Sequence, residues 1–251
     1  MKIGIIGNGF VGSAIMHGFI LHADDIMIYD KDPKRSTHSM KELTNNADVI
    51  FVCVPTPMGV NGIQNSSIIE SILEELSKKF LNSIIVIKST VLPSILQKLE
   101  NKNENIIYNP EFLREKHAND DFINSEMIIF GGKKDIAKKV SEFYLNHSRC
   151  KSTEHIFMDI SSASLIKYSI NSFLAVKVLF FNEINALFSE IESNDDWKTF
   201  IQTLAIDKRI GKSHMNVPGH DGKRGFGGAC FPKDIAALLK YAEGLGVELD
   251  L

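Results

Sequence analysis

The stretch that decides the fold is Lys2-Ile3-Gly4-Ile5-Ile6-Gly7-Asn8-Gly9-Phe10-Val11-Gly12. Its apolar first half predicts a buried strand, and its glycines fall at the spacing GxGxxG. Gly7 permits a tight turn, Gly9 lets a pyrophosphate approach the backbone, and Gly12 lets the next helix pack on the strand. Residues 13–21 continue as that helix, whose N-terminus would face the phosphates. The stretch therefore predicts a dinucleotide-binding turn.

A second apolar strand, residues 26–29, ends at Asp30, about as far downstream as the dinucleotide fingerprint requires. A carboxylate there accepts hydrogen bonds from the ribose hydroxyls and repels a 2′-phosphate, so Asp30 favours NAD over NADP. Lys31, Lys34 and Arg35 follow closely and weaken that preference. The alternative is a glycine turn that arose by chance, but strand, turn, helix, strand and acid occur here in the expected order.

Further strands are predicted at residues 48–54, 83–88, 105–108 and 127–130, and helices at 66–80 and 134–145. The strands are almost wholly apolar, as in a parallel sheet covered on both faces. This alternation predicts an α/β fold in which residues 1–154 form a Rossmann domain with a doubly wound parallel sheet. Polar side chains follow the strands, at the sheet edge where such folds bind ligands. Residues 31–46 are predicted to be a short polar link.

The pattern changes near residue 155. Residues 160–192 contain neither proline nor glycine and predict one long helix that is apolar on more than one side. We expect residues 155–251 to form a helical domain whose long helix, 160–192, packs against a partner subunit in a homodimer. Lys167 and Asn171 are four residues apart on one face of this helix. They are either a functional pair or part of a solvated polar stripe.

A second glycine-rich stretch is Gly225-Phe226-Gly227-Gly228-Ala229-Cys230-Phe231-Pro232-Lys233-Asp234. Pro232 suits the first turn of a helix that would begin beside Cys230. The helix dipole and Lys233 both favour the thiolate form of Cys230, which is the nucleophilic form. The alternative is a small packed cysteine behind a flexible loop. The preceding polar loop, 212–224, carries cationic and histidine side chains that could meet a diphosphate, namely Lys212, His214, His220, Lys223 and Arg224.

The composition excludes several classes of protein. The 251 residues are 44% hydrophobic and 24% charged, with a net charge of -3, which gives no electrostatic basis for binding nucleic acid. No apolar run is expected to be long enough to span a bilayer, and no signal peptide is expected. Three cysteines without a CxxC pair fit a reducing, cytoplasmic setting. The eight histidines show no zinc-binding spacing, so no metal site is expected.

The chain resembles the UDP-glucose/GDP-mannose dehydrogenase family in segments that occur in the family's order: Gly7–Gly12, Val54–Pro57, Lys88–Thr90, Asn109–Glu115, Lys167–Asn171, Asn182-Glu183, Arg209–Gly211 and Gly225–Asp234. The resemblance implies four-electron oxidation of a nucleotide-sugar C6 alcohol to the uronate with two NAD, and UDP-glucose is the first choice of substrate. GDP-mannose and a UDP-N-acetylhexosamine are alternatives. A two-electron hydroxyacid dehydrogenase would not need the Cys230 segment. A further alternative is a non-enzymatic NAD-binding remnant that relies on a partner chain for substrate binding.

The resemblance also implies roles for individual residues. Cys230 would capture the aldehyde as a thiohemiacetal that is oxidised to a thioester, and Lys167 and Asn171 would stabilise the oxyanion. Asp234 and Thr90 would position water, with Glu115 as general base. Cofactor contacts are implied for Gly7, Gly9, Phe10, Val11, Gly12, Asp30, Pro55, Thr56, Thr90, Glu115 and Lys233. Substrate contacts are implied for Glu111, Phe112, Leu113, Lys167, Asn171, Phe226, Gly227 and Arg209, the last reaching the neighbouring subunit's substrate.

Two departures from the family pattern are visible. Residues 31–46 are shorter than the usual helical excursion at that place. Members of the family also continue into a second Rossmann-like domain that binds the nucleotide end of the substrate, whereas this sequence stops at Leu251. We therefore expect a short form without the C-terminal UDP-binding domain, either natural or truncated, and weak binding of UDP-glucose.

Overall fold

The structure, a computed structural model, describes residues 1–77 and 83–251. The chain divides into two compact units, which we call unit 1 (Met1–Lys167) and unit 2 (Tyr168–Leu251). The domain boundary predicted after residue 154 stays a prediction. The helix predicted over 66–80 is described from Ser67 to Ser77, and its predicted last turn lies outside the described residues.

In its described residues, unit 1 is built on a sheet of seven strands: β1 Lys2–Ile6, β2 Asp25–Tyr29, β3 Val49–Val52, β4 Ile84–Ile87, β5 Ile106–Tyr108, β6 Ile128–Gly131 and β7 His155–Met158. Their order in the described sheet is β2-β1-β3-β4-β5-β6-β7. All neighbours are parallel except β5 and β6, which pair antiparallel at Tyr108 and Gly131. The α/β fold is therefore confirmed, although the sheet is only mostly parallel. β7 was not predicted, and it continues the sheet beyond residue 154.

Helices cover both faces of this sheet: α1 Phe10–Phe19, α2 Met40–Asn46, α3 Ser67–Ser77, α4 Pro93–Lys102, α5 Ala118–Ile123 and α6 Lys134–His147. Successive side chains of a strand point to opposite faces. In β3, Ile50 and Val52 belong to one buried apolar cluster, and Val49 and Phe51 belong to the other. Two covered faces explain why the strand sequences are apolar throughout rather than alternating.

Helix α2 corrects the prediction of a plain polar link over residues 31–46. Ser39 caps the helix by accepting from the Glu42 backbone N–H, while the Glu42 carboxylate accepts from the Ser39 N–H. Such a capping box satisfies N–H groups that the first turn leaves without partners. Leu43 of this helix is fully buried in the core. A Cβ on Gly4 of β1 would lie 2.6 Å from its side chain, so the helix packs directly on the sheet.

The sheet places its ligand-binding edge next to β1. Strand β1 lies between β2 and β3, so the chain leaves β1 in one direction and returns on its other side. In open α/β sheets, ligands bind outside the carboxyl ends of the strands at this reversal. The turn after β1 and the turn after β3 both lie at this position.

Helix α7, Ile160–Glu190, has 31 residues and is the long helix that the sequence predicts. By length and composition it could cross a membrane, which corrects the expectation that no apolar run is long enough. The core helix of a soluble protein passes the same test, so this property alone is weak evidence for a membrane span. Several of its large apolar side chains are exposed, including Phe173, Val176, Phe180 and Leu187.

Unit 2 contains the larger part of α7 and two more described helices, α8 Trp197–Leu204 and α9 Phe231–Gly244. The Asp196 carboxylate caps α8 by accepting from the Thr199 N–H. Trp197 stacks on Phe200 with ring centroids 5.4 Å apart, and both rings contact Phe188 of α7. This aromatic cluster fixes α8 against the end of α7.

Candidate active site

The glycine turn after β1 has the geometry of a dinucleotide cradle. Gly7 has φ +94°, and a Cβ there would lie 2.7 Å from the Cys53 carbonyl oxygen at the end of β3. A Cβ on Gly12 would lie 2.0 Å from the Gly7 carbonyl oxygen. A Cβ on Gly9 would meet no described atom within 4 Å, so this position is open to an approaching group. The turn therefore fits a pyrophosphate at the start of α1.

Asp30 follows β2 and is tied to the same turn. Its Oδ2 accepts from the Asn8 backbone N–H at 2.7 Å, and its Oδ1 accepts from the Asp32 N–H at 2.9 Å. Burial opposes ionisation, but the Asp32 and Asn8 N–H groups outweigh it and lower the pKa of Asp30. A charged carboxylate here is consistent with recognition of ribose hydroxyls. Phe10 and Val11, also predicted to contact the cofactor, form the first turn of α1.

The turn after β3 and the residues after β4 are joined by hydrogen bonds. The Thr56 hydroxyl donates to the Thr90 carbonyl oxygen at 2.7 Å, and the Gln64 amide donates to the same oxygen at 2.9 Å. Gln64 also accepts from the Leu92 N–H. Thr56 is buried and Pro55 is exposed. Gln64, which the sequence analysis missed, thus fixes the backbone of Thr90.

Glu111 and Lys167 form a buried ion pair in unit 1. The Lys167 ammonium donates to the Glu111 backbone carbonyl and lies 3.2 Å from its Oε1. The other carboxylate oxygen accepts from the Leu113 N–H at 2.7 Å. The Lys167 Nζ also lies 5.2 Å from the centroid of the Phe112 ring. The structure therefore brings together the predicted substrate residues Glu111, Phe112, Leu113 and Lys167.

Glu115 lies in a single 3-10 turn, Glu115–His117, and is exposed. The preceding Arg114 pairs with Asp121 at 2.7 Å. The structure therefore leaves the proposed general base on the surface of unit 1.

In unit 2, Cys230 is the N-cap residue of α9, where the sequence predicts it. Its carbonyl oxygen accepts from the Asp234 N–H at 3.0 Å, which closes the first helical turn. Pro232 lies in this turn, where its missing N–H leaves no helical bond unmade. Gly227 is exposed, whereas Phe226 and Cys230 are half-buried.

Asp234 is almost fully buried and connects two other predicted residues. Its Oδ2 accepts from the Asn171 side-chain amide at 2.6 Å, and its Oδ1 accepts from the Lys233 ammonium at 2.5 Å. A buried carboxylate is tolerated when donors compensate for its lost hydration. Asp234 thereby fixes the orientation of the Asn171 amide. The Lys233 ammonium, predicted to lie near the cofactor, is bonded to Asp234.

The turn that carries Arg209 is held by a buried lysine. The Arg209 guanidinium is exposed and pairs with Asp207. Lys177 of α7 donates to the carbonyl oxygens of Ile210 at 2.7 Å and Gly211 at 3.4 Å. Lys177 is a second residue that the sequence analysis missed, because its partners are more than thirty residues away in the chain.

The glycine loop before Cys230 is held to α7 by hydrogen bonds. The Asn182 side-chain oxygen accepts from the Gly225 N–H, and Arg224 donates to the Asn182 carbonyl and to the Asn185 side chain. Of the predicted basic loop residues, Lys212, His220 and Lys223 are exposed, and the His214 ring contacts that of Phe231. In the described parts of the chain, no group of three or more His, Cys, Asp or Glu side chains could hold a metal ion.

Comparison with known proteins identifies the family. Residues 34–147 match the NAD-binding domain of the UDP-glucose/GDP-mannose dehydrogenase family, and residues 161–251 match its central domain. NAD is therefore the cofactor. The UDP-glucose 6-dehydrogenase of Rickettsia conorii is 31% identical, and the alignment covers 97% of this chain and 63% of that protein. The chain thus spans less than two thirds of the length of this relative.

Solved structures agree with this match. A UDP-glucose dehydrogenase from Pyrobaculum islandicum superposes with a TM-score of 0.80 at 26% identity, over 98% of this chain and 65% of that one. The 3-hydroxyisobutyrate dehydrogenase of Mycobacterium tuberculosis superposes with a TM-score of 0.76 over 99% of this chain and 89% of that one. At 14% identity, the second likeness shows a shared fold alone. The chain belongs to the UDP-glucose/GDP-mannose dehydrogenase family.

Proposed function

We propose that this chain oxidises the C6 alcohol of UDP-glucose to the carboxylate of UDP-glucuronate, in two successive NAD-dependent steps. The observation that carries the proposal is Cys230 at the N-cap of α9 in unit 2, where its carbonyl oxygen accepts from the N–H of Asp234, the buried partner of Asn171. A two-electron dehydrogenase has no use for a nucleophilic thiol. The relatives named UDP-glucose 6-dehydrogenase support the choice of substrate.

NAD supplies a hydride acceptor for both oxidations. The residues that would hold it are those of the glycine turn, Gly7, Gly9, Phe10, Val11 and Gly12, together with Asp30, Pro55, Thr56 and Thr90. Asp30 fits the ribose because its carboxylate is kept ionised by the Asn8 and Asp32 N–H groups. The open space at Gly9 fits close approach of a diphosphate to the backbone.

Covalent capture explains the need for Cys230. The first oxidation converts the C6 alcohol to an aldehyde. The Cys230 thiolate adds to the aldehyde carbon, a C–S bond forms, and the carbonyl π electrons move to oxygen. The alkoxide can release hydride from C6, which leaves a thioester, whereas a free aldehyde cannot easily do so. Lys167 and Asn171 donate hydrogen bonds to the oxyanion. Lys167 is held for this by the backbone and carboxylate of Glu111.

Hydrolysis of the thioester completes the cycle. Water attacks the thioester carbon, the C–S bond breaks, and the carboxylate and the Cys230 thiolate are released. Glu115 takes one proton from the attacking water as general base, and the second proton leaves to solvent when the product acid ionises to the carboxylate. Asp234 and Thr90 position the water, and Asp234 in addition orients the Asn171 amide through their hydrogen bond. Lys233, bonded to Asp234, would contribute to cofactor binding from the same turn.

We also propose that the chain works as a homodimer through α7. Phe173, Val176, Phe180 and Leu187 recur at helical spacing and are exposed, and Phe173 retains 65% of its accessible surface. Contiguous apolar surface of this kind is typical of an interface. The exposed Arg209 would reach the substrate of the partner subunit, with Phe226 and Gly227 contacting substrate from the glycine loop. Sedimentation velocity over a range of protein concentrations tests the dimer, and a monomer throughout would contradict it.

The first test of the activity measures NADH formed per UDP-glucose, for the wild type and for Cys230→Ser. We expect two NADH per sugar from the wild type and a loss of turnover in the serine variant, because a hydroxyl is a much weaker nucleophile than a thiolate. Cys150→Ser is the matched control and should keep full activity. Binding of NADH without turnover of any nucleotide sugar would contradict the proposal.

Thiol labelling gives an independent test. Burial raises the pKa of Cys53 to about 12 and also raises the pKa of Cys150. Both thiols are therefore protonated and unreactive at neutral pH. We expect iodoacetamide to modify Cys230 first and to abolish turnover in proportion to labelling. Labelling of Cys150 ahead of Cys230 would count against a nucleophilic Cys230.

A further inference from the structure

The most unusual group outside the residues assigned above is the buried ammonium of Lys88. Lys88 follows β4 and exposes only 5% of its surface. Within the described part of the chain, no carboxylate forms an ion pair with it. Its partners are neutral: the Nζ donates to Asn109 Oδ1 at 2.9 Å and to the Pro110 carbonyl oxygen at 3.5 Å. A buried lysine with neutral partners is rare and calls for an explanation.

Through Asn109, Lys88 belongs to a fully buried network. Asn109 Oδ1 also accepts from the Tyr144 hydroxyl at 2.7 Å, and Asn109 Nδ2 donates to the Ile129 carbonyl oxygen at 2.7 Å. The Asn109 backbone N–H donates to the Ile87 carbonyl oxygen on β4. The residue after β5 is thus held by β4, β6 and α6 together.

The network leads directly to the buried ion pair. Pro110, whose carbonyl accepts from Lys88, precedes Glu111 in the chain. The Glu111 carbonyl oxygen and carboxylate then hold the Lys167 ammonium. Lys88 therefore contacts the start of the segment from Asn109 to Glu111, and Lys167 contacts its end.

Stability does not account for Lys88. Burial lowers the pKa of Lys88 to about 8 even though Glu111 opposes this shift, and the charge of Lys167 is a minor contributor to the lowering. Removing an ammonium from water costs more than hydrogen bonds to neutral partners return. A methionine of similar length would fill the same space without this cost. Asn109 would keep its hydrogen bond from Tyr144.

We propose that Lys88 is a positioning residue, which fixes the Asn109–Glu111 segment so that Glu111 holds Lys167 in the place its function requires. This inference rests on the proposed function in one respect, that Lys167 is the oxyanion donor. The placement of the segment itself does not depend on that role.

The test is Lys88→Met in the full chain, with Lys98→Met as the matched control on the exposed face of α4. We expect Lys88→Met to melt at the same or a higher temperature than the wild type. We expect its kcat to fall on the order of tenfold to a hundredfold, with little change in KM, because small displacements of a catalytic group are costly. Lys98→Met should match the wild type in both measurements.

Amide hydrogen exchange gives a readout that needs no turnover. The Leu113 N–H donates to the Glu111 carboxylate and therefore reports its position. In Lys88→Met we expect the amides of Asn109, Glu111, Phe112 and Leu113 to exchange faster on the order of tenfold, while the strands of unit 1 keep their protection. Lys98→Met should leave this segment unchanged.

The outcomes separate the two proposals. Unchanged kcat and unchanged exchange in Lys88→Met, with an active wild type, would overturn the role of Lys88 and leave the proposed function standing. A variant that melts at a lower temperature or fails to fold would also overturn it, since Lys88 would then be a structural residue. If the wild type turns over no nucleotide sugar, the proposed function fails, and local exchange in residues 109–113 still decides whether Lys88 places the segment.

Discussion

The two glycine-rich segments of this protein use glycine for different reasons. In the turn after β1, added Cβ atoms on Gly7 and Gly12 would meet backbone oxygens at 2.7 and 2.0 Å. In the loop before Cys230, added Cβ atoms on Gly227 and Gly228 would meet no described atom within 4 Å. Gly228 nevertheless has φ +79°, a backbone angle that residues with a side chain rarely adopt, whereas the φ of Gly227 is not positive.

The difference distinguishes glycines that are required for packing from glycines that leave the backbone accessible to a ligand. Backbone cannot move aside cheaply, so the first turn needs glycine in order to fold. Space around Gly9 and Gly227 is open, so folding alone does not demand glycine there. Glycine at these two positions is expected where a ligand approaches the backbone. Alanine substitutions therefore distinguish the two reasons.

The largest effect is expected for Gly12→Ala. Its Cβ would overlap the Gly7 carbonyl oxygen, and relieving the overlap moves α1 away from β1. We expect a loss of about 3 kcal/mol or more in the free energy of unfolding, at the upper end for overpacking. Chemical denaturation followed by circular dichroism measures it. A variant within about 0.5 kcal/mol of the wild type, as typical surface changes are, would show that the turn can relax.

Gly9→Ala should affect ligand binding and spare the fold. The open space at Gly9 accommodates a Cβ, so the midpoint of unfolding should not change. We expect the Kd for NADH to rise about tenfold, equivalent to about 1.4 kcal/mol, because the methyl group blocks close approach of the pyrophosphate. Fluorescence titration with NADH measures this. Equal affinity in the two proteins would place the diphosphate elsewhere.

Gly228→Ala tests the loop, with Gly227→Ala as its matched control. A side chain at φ +79° is strained, and we expect a loss of about 1 kcal/mol in the free energy of unfolding. Gly227→Ala should be close to neutral for stability and should reduce turnover if substrate passes over this residue. If both variants are equally stable, the positive φ at Gly228 is not a constraint on the folded state.

The smallest effect is the pH dependence contributed by Asp30. Its pKa is lowered in the folded state, so its contribution to stability is present above the ordinary value of 3.8 and is lost as pH falls through the folded pKa. We expect Asp30→Asn to differ most from the wild type at neutral pH and to converge with it in acid. Urea unfolding at several pH values measures this. A difference that grows towards low pH would have the wrong sign.

Much of unit 1 could be predicted because its signals are local. Apolar runs located six of the seven described strands, all but β7, and the GxGxxG spacing located the glycine turn after β1. Helix α2 was missed although the Ser39-to-Glu42 capping box is readable in the sequence. The antiparallel pairing of β5 with β6 could not be predicted, because the pattern of a strand buried on both faces does not encode its direction.

Long-range polar contacts could not be predicted from local signals in the sequence. Nothing near Lys88 in the sequence announces that its ammonium is buried against Asn109, twenty-one residues further on. The same holds for Lys177 and the turn at Ile210. Cys230 was placed correctly at a helix start because proline and glycine mark that boundary locally. Its catalytic role stays a prediction.

The aromatic cluster at the end of α7 contains an intrinsic fluorescent probe of unfolding. Trp197 is the single tryptophan of the chain and belongs to unit 2, where it stacks on Phe200. Its emission therefore follows the unfolding of unit 2, while circular dichroism follows the whole chain. Coincident transitions would identify one cooperative folding unit, and separate transitions would identify two.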